Sequence, residues 1–312
     1  MKNTYKNAKK LIFLLILTFI FNISTVSAQQ NHPFTFVWMT DTQYYSEKYP
    51  HIYERITDWI AQEAQADNIR YVFHTGDIVN HHNKEKEWIN AHKAMKTLDT
   101  ALVPYGVLAG NHDVAHDELN YKHFSHYFGE KRFKNRSYYK GTYENNRAHY
   151  DEIKVSSHQF LMLHIGYGLN DDVLSWAKTV IDEHPKHTVI IATHRYLKLD
   201  GSRSGDGEKL FQTLILPSPN VQLVLSGHYS GTAQKFDRID DDGDGKTDRT
   251  VVQLLTDYQR FKKGGNGFIR LLSFNPNLQT VTVDTFSPYT DEHTLDHKDV
   301  KQPMSFHFRL AF

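Results

Sequence analysis

The sequence predicts an α/β protein, with sheets covered by helices and a ligand site along one sheet edge. Three observations carry that reading. Short apolar strands alternate with helical segments along most of the chain. Five of those strands run directly into loops that bear Asp, Asn or His. The chain has 312 residues, of which 39% are hydrophobic and 23% charged, the profile of a globular fold with a sizeable core.

The first stretch is read apart from that fold. Lys2, Lys6, Lys9 and Lys10 precede an apolar run from Leu11 to Ile23, and Val26-Ser27-Ala28 supplies an A-x-A-like end. This is the pattern of a secretory signal peptide over residues 1–28, cleaved after Ala28. An uncleaved anchor is the alternative, although the run is short for a span of roughly 20 residues. Cleavage removes four lysines and no acid from a chain with 36 basic and 36 acidic residues, leaving a net charge of −4. The expected product is secreted, periplasmic or held at the cell surface, with no membrane span after cleavage. It lacks the basic excess of a nucleic-acid binder. With no Cys, disulfides, iron–sulfur clusters, thiolate zinc sites and cysteine nucleophiles are excluded; the 20 His direct attention to metals held by nitrogen and oxygen.

Residues 29–312 read as one domain. Phe34–Thr40 is a strand that runs into Asp41-Thr42-Gln43. Ile52, Ile56, Trp59 and Ile60 recur at helical spacing, predicting a helix over 52–64. Arg70–His74 is the second strand, ending at Thr75-Gly76-Asp77. A polar helix over 84–98 leads to a strand over 102–108 and to Ala109-Gly110-Asn111-His112-Asp113. A Tyr/His/Lys-rich section precedes strands over 148–155 and 159–165 and a helix over 171–183. The strand over 187–192 ends at Thr193-His194. A helix over 208–216 then precedes the strand over 221–225, which ends at Ser226-Gly227-His228. The tail is β-rich, with strands expected over 232–239, 250–255, 267–274 and 280–284.

Loops at the carboxyl ends of strands in such sheets converge on one crevice. The residues brought there are Asp41, Gln43, Asp77, Asn111, His112, His194 and His228. This mixed oxygen and nitrogen set suits Mn²⁺, Fe or Zn²⁺ better than Ca²⁺ or Cu⁺. One Asp bridging two cations would hold them about 3.5–4 Å apart and activate a hydroxide between them. Glycines at 76, 110 and 227 let the chain turn sharply at these loops. Taken singly, Gly76-Asp77 and Gly110-Asn111 are ordinary turn sequences, and a lone His is an ordinary surface or core residue. The metal reading comes from the five loops together.

Those loops resemble the ordered blocks of the calcineurin-like metallophosphoesterases, whose usual pattern is D-x-H, G-D, G-N-H-[DE], a lone H and G-H-x-H. Here they stand as Asp41-Thr-Gln43, Gly76-Asp77, Gly110-Asn-His-Asp113, Thr193-His194 and Gly227-His228, within residues 34–232. Leu254-Leu-Thr-Asp-Tyr-Gln259, Gly264-Gly-Asn-Gly267 and Thr285-Phe-Ser-Pro288 resemble the tail of exported bacterial members, which makes 233–312 a β-rich completion of the domain. The resemblance implies a four-layer αββα sandwich with the site on one edge. By position, Asp41 is similar to the first-metal carboxylate and Asp77 to the bridging one. Asn111, His194 and His228 resemble second-metal ligands, and His112 the histidine that protonates the leaving oxygen. Asp113 is expected to orient His112 through a hydrogen bond.

Two positions depart from the pattern. Gln43 stands where the first block has His, and Ser230 where the last block has its second His. The first metal thereby loses both imidazoles and would be held by Asp41, Asp77, Gln43 and water, in a more Mn²⁺- or Mg²⁺-like site. The implied activity is metal-dependent hydrolysis of phosphate monoesters or diesters, by a metal-activated hydroxide, on a small molecule or a phosphoprotein. The alternative from another class is a secreted binding or scaffold protein on a partly degraded phosphoesterase fold.

Outside these blocks, Asp240, Asp242, Asp244 and Asp248 have the spacing of a calcium loop, but position twelve is Val251 rather than Glu. A structural Ca²⁺ and a solvated acidic hairpin turn are both compatible with it. His164 ends a strand and could line the crevice or sit in the core.

Overall fold

In β1 (Phe34–Met39), alternate side chains face opposite ways, and both faces are buried. Phe34, Phe36 and Trp38 join one apolar cluster, while Val37 and Met39 join another. A strand buried on both faces needs a layer on each side, and the architecture follows from that. The computed structural model describes residues 32–310, except 65, 67 and 294–304. The signal-peptide reading of 1–28 lies outside the described residues.

One sheet is built from β1, β2 (Ile69–His74), β3 (Tyr105–Val107), β11 (Ile269–Asn275), β12 (Thr280–Ser287), β13 (Glu292–His293) and β14 (Phe306–Arg309). Its order is β13-β12-β11-β1-β2-β3, with β14 also paired to β12. The other has the order β4-β5-β6-β7-β8-β10-β9. Its strands are β4 (Tyr139–Tyr143), β5 (Ala148–Val155), β6 (His158–Ile165), β7 (Thr188–Thr193), β8 (Val221–Ser226), β9 (Gly231–Ile239) and β10 (Arg249–Asp257). Phe34, Phe36, Trp38 and Phe73 of the first sheet share a core with Phe160, Met162, Leu223 and Leu254 of the second. Helices Pro50–Glu63 and Glu85–Thr100 cover the first sheet's other face through Ile52, Ile56, Ile60, Trp88, Met95 and Leu98. Helix Asp171–Glu183 and the segment Gly205–Ile215 cover the second through Val173, Ala177, Leu210 and Leu214. The result is the four-layer αββα sandwich.

Within each sheet a parallel block aims its carboxyl ends at one edge. β1, β2 and β3 run parallel in the first, and β6, β7, β8 and β10 in the second. The expected strand over 102–108 contracts to Tyr105–Val107, because Leu102 turns through a positive φ of 57° and Pro104 has no N–H to donate. The helix expected over 208–216 starts earlier, capped by Ser204, which accepts from the Gly207 N–H at 3.0 Å, and ends in a π-turn at Phe211–Ile215. The short helices Gln43–Lys48, Lys122–Phe128 and Glu130–Phe133 have too few turns to show a period in sequence.

His164 proves to be a core residue. Its ring stacks on His149 with centroids 4.5 Å apart, and its Nε2 lies 2.9 Å from the Tyr71 hydroxyl, which also donates to Asp151. Burial pushes the Asp151 carboxyl well up and holds His149 down to about 3, in each case against the charged form.

Candidate metal centre

Each ligand loop follows a parallel strand, and the backbone is bent to present its side chain. Asp41, Asp77 and His228 have positive φ of 50°, 53° and 76°, unfavourable for any residue with a Cβ. The loops also approach more closely than side chains allow. A Cβ on Gly110 would lie 2.1 Å from Asp77 Oδ1, and one on Gly227 would lie 2.2 Å from Asp41 Oδ2. Both positions therefore require glycine for space.

The structure brings five of the expected ligands together. Asn111 Oδ1 lies 3.0 Å from His194 Nε2 and 2.8 Å from His228 Nδ1, and those two nitrogens are 3.2 Å apart. Asp77 Oδ1 is 3.4 Å from His194 Nε2. Donor atoms bonded to one cation at roughly 2.0–2.2 Å are separated by about this much. His194 Nδ1 donates to the Thr75 carbonyl at 2.9 Å, which turns Nε2 toward Asn111, His228 and Asp77. Asp41, beside this group, accepts from the His228 N–H at 3.2 Å and from Thr40 Oγ1 at 2.5 Å.

Asp41, Asp77, Gln43 and His194 are all fully buried or nearly so. Burial disfavours the charged form of His194, yet Asp77 and Asp41 overcome it and push the imidazole up to about 10. Burial also works against the Asp77 carboxylate, but His194 and His112 outweigh it and hold the group below its ordinary value. Asp41 is raised well above its ordinary value, by burial first and by the carboxylate of Asp257 second. His228 is held down to about 3 by burial and by His194, so it is neutral. The site is thus a buried cluster of acidic groups in which positive charge is favoured.

The sequence profile of the calcineurin-like phosphoesterases matches residues 34–229. The chain belongs to that family. It is 47% identical over 272 residues to YvnB of Bacillus subtilis (strain 168), an uncharacterised protein. That match takes in 85% of this chain but 21% of YvnB, so the chain spans about a fifth of its relative. Among solved structures, purple acid phosphatase PPD1 from yellow lupin (Lupinus luteus) superposes with a TM-score of 0.58 at 13% identity, over 90% of this chain and 54% of the lupin chain. GAP50, the anchor in the inner membrane complex of Plasmodium, gives 0.50 at 13% identity, over 86% of this chain and 90% of that one. At such identities the likeness concerns the fold.

Measured against the family pattern, Asp113 needs a correction. It makes no hydrogen bond to His112; its carboxylate accepts the backbone N–H groups of Ile78 (2.9 Å), Val79 (2.9 Å) and Gly110 (2.8 Å). Its role is to lock the Asp77 and Asn111 loops together. What orients His112 is the Asn80 carbonyl, which accepts from Nδ1 at 2.8 Å and leaves Nε2 facing the site, 4.0 Å from Asp77 Oδ2.

At position 43, Gln43 Nε2 donates to Gln259 Oε1 at 2.6 Å and lies 3.4 Å from Asp77 Oδ2, while its Oε1 is buried without a partner. Ser230 Oγ donates to Asp257 Oδ2 at 2.9 Å. Sequence reasoning missed Asp257 as a site residue, although Leu254-Leu-Thr-Asp257 repeats the grammar of the other five loops, an apolar strand ending in an acid.

The acidic loop behaves as a hairpin turn between β9 and β10. Asp240 accepts from the N–H groups of Gly243 and Gly245, Asp248 from Asp241, and Asp242 from Asp244, all in exposed positions. A Ca²⁺ site there gains no support. No helix among the described residues is long and apolar enough to cross a membrane.

Proposed function

We propose that the protein is an exported, metal-dependent phosphoesterase acting on phosphate monoesters or diesters of a small molecule or a phosphoprotein. The observation that supports it most directly is the convergence of Asp77, Asn111, His194 and His228, whose donor atoms crowd within 2.8–3.4 Å, on a family fold. Divalent cations bound there, with Mn²⁺, Fe or Zn²⁺ suited to the donors, supply a nucleophile at neutral pH and neutralise phosphoryl charge.

The chain's own residues do the rest. Asp77 lies between the Asn111/His194/His228 group and Gln43, so it is placed to bridge the two halves of the site. His112 is half-exposed at the mouth of the site, with Nδ1–H committed to the Asn80 carbonyl. Its Nε2 is therefore the atom that meets a substrate oxygen and carries a proton to the leaving group. The Asp77 and Asn111 loops that line the crevice are held together by the Asp113 clasp.

The test is hydrolysis of a generic aryl phosphate by the full chain, metal-stripped and then reloaded with Mn²⁺. Activity should depend on the metal, disappear in Asp77→Ala, and fall about 10²–10⁴-fold in His112→Ala. Stoichiometric metal with no hydrolysis of any ester in a broad panel would instead support the scaffold reading. Near-wild-type turnover in Asp77→Ala would refute the assigned site.

A further inference from the structure

We propose that Asp257 is a ligand of the first cation, supplying the negative charge that stands in for the imidazoles absent at positions 43 and 230. The inference rests on the metal-centre reading above and goes beyond it by assigning a residue outside the five family blocks.

Topology places Asp257 there. β10 runs parallel to β8 and lies between β8 and β9, so its carboxyl end reaches the edge that carries His228. Asp257 is the last residue of β10 and pairs across the ladder with Gly231, which puts it beside Ser230. The serine is small enough to leave room for the carboxylate and holds it through the 2.9 Å hydrogen bond from its hydroxyl to Oδ2.

The surrounding side chains tie Asp257 to the known half of the site. Gln259 donates its backbone N–H to Asp257 Oδ1 at 2.8 Å and its side-chain Nε2 to Oδ2 at 2.7 Å. The same Gln259 side chain accepts from Gln43, which in turn reaches Asp77. Asp257 is thus linked to the bridging carboxylate through two amides, with a fixed orientation. Independently, Gln43 Oε1 is fully buried with no partner, although a carbonyl oxygen in that position carries a desolvation cost unless something accepts its electron pairs. Asp41, Asp77 and Asp257 are each at most 2% exposed, and Asp257 and Asp77 both repel a charge on Asp41. Together these three carboxylates and the carboxamide oxygen would offer oxygen donors to a hard cation such as Mn²⁺ or Mg²⁺. The Asn111, His194 and His228 half, with its two imidazoles, is the nitrogen-rich partner site.

Metal stoichiometry of the stripped full-length protein tests this, with Mn²⁺ as the probe, by calorimetric titration, metal analysis after desalting, and the spin-coupled EPR signal of a Mn²⁺ pair. The wild type should bind two equivalents and show the coupled signal. Asp257→Asn should retain one equivalent, lose the coupled signal, and weaken the other equivalent at least 100-fold. Mn²⁺ should raise its melting temperature less than it raises that of the wild type. Adding Ser230→His to Asp257→Asn should restore the second equivalent by returning an imidazole to the family position. Two equivalents bound by Asp257→Asn with affinities within threefold of wild type would overturn the proposal, as would a wild type that binds only one. Two bound equivalents without phosphate-ester hydrolysis would leave the Asp257 assignment standing and remove the proposed function instead.

Discussion

Replacing Asp113 by alanine should unfasten two ligand loops at once. The Asp113 carboxylate is fully buried and accepts the N–H groups of Ile78, Val79 and Gly110, which flank Asp77 on one loop and Asn111 on the other. Alanine leaves three buried donors unpaired, at about 1–3 kcal/mol each, so the loss is about 2–6 kcal/mol if one recruits water. At about 2 °C per kcal/mol for a chain of this size, the melting temperature should fall by about 4–12 °C. Because Asp77 and Asn111 would also lose their fixed spacing, Mn²⁺ affinity should fall with it. Thermal melts with and without Mn²⁺, paired with calorimetric titration, read both quantities. A variant that melts within about 2 °C of wild type and binds Mn²⁺ with wild-type affinity would refute the clasp.

Gly227→Ala should keep the fold but cost about 10²-fold in kcat/KM and weaken metal binding, since its Cβ would stand 2.2 Å from Asp41 Oδ2 and 2.3 Å from Thr40 Oγ1; wild-type kinetics would show the carboxylate is not held there. Asp151 is buried and raised well above its ordinary carboxyl value, so the folded chain holds a proton there that the unfolded chain releases above about pH 4. Its contribution to stability is therefore full at low pH and is lost as pH rises towards the raised value. Urea melts at pH 5 and pH 8 should show Asp151→Asn gaining on the wild type as pH rises, and a pH-independent difference would contradict this. Saturating Ca²⁺ should leave the melting temperature of the metal-loaded protein unchanged, and equally so in Asp242→Ala, because the acidic hairpin hydrogen-bonds to its own backbone.

Much of this protein is determined by short-range sequence. The five ligand loops are each a strand ending followed by a few residues, and an apolar run stopping at Gly-Asp or Gly-Asn-His is visible without a structure. The same is true of the layers, because strands buried on both faces, such as Phe34–Met39, must be covered on each side. The sequence also locates the anomaly, the two missing imidazoles at Gln43 and Ser230.

Only the tertiary structure decided what answers that anomaly. Asp257 reaches the site because β10 inserts between β8 and β9, an order that no local pattern encodes. Gln43 and Gln259 meet across 216 positions of chain, and their contact exists only once the two sheets have packed. The role of Asp113 was decided in the same way. Adjacency in Asn111-His112-Asp113 invites a hydrogen bond between neighbours, whereas the turn aims the carboxylate inward at the amides of another loop and leaves His112 to the Asn80 carbonyl. A motif names the residue types that a site needs; which of them face one another depends on where the backbone of distant segments comes to rest.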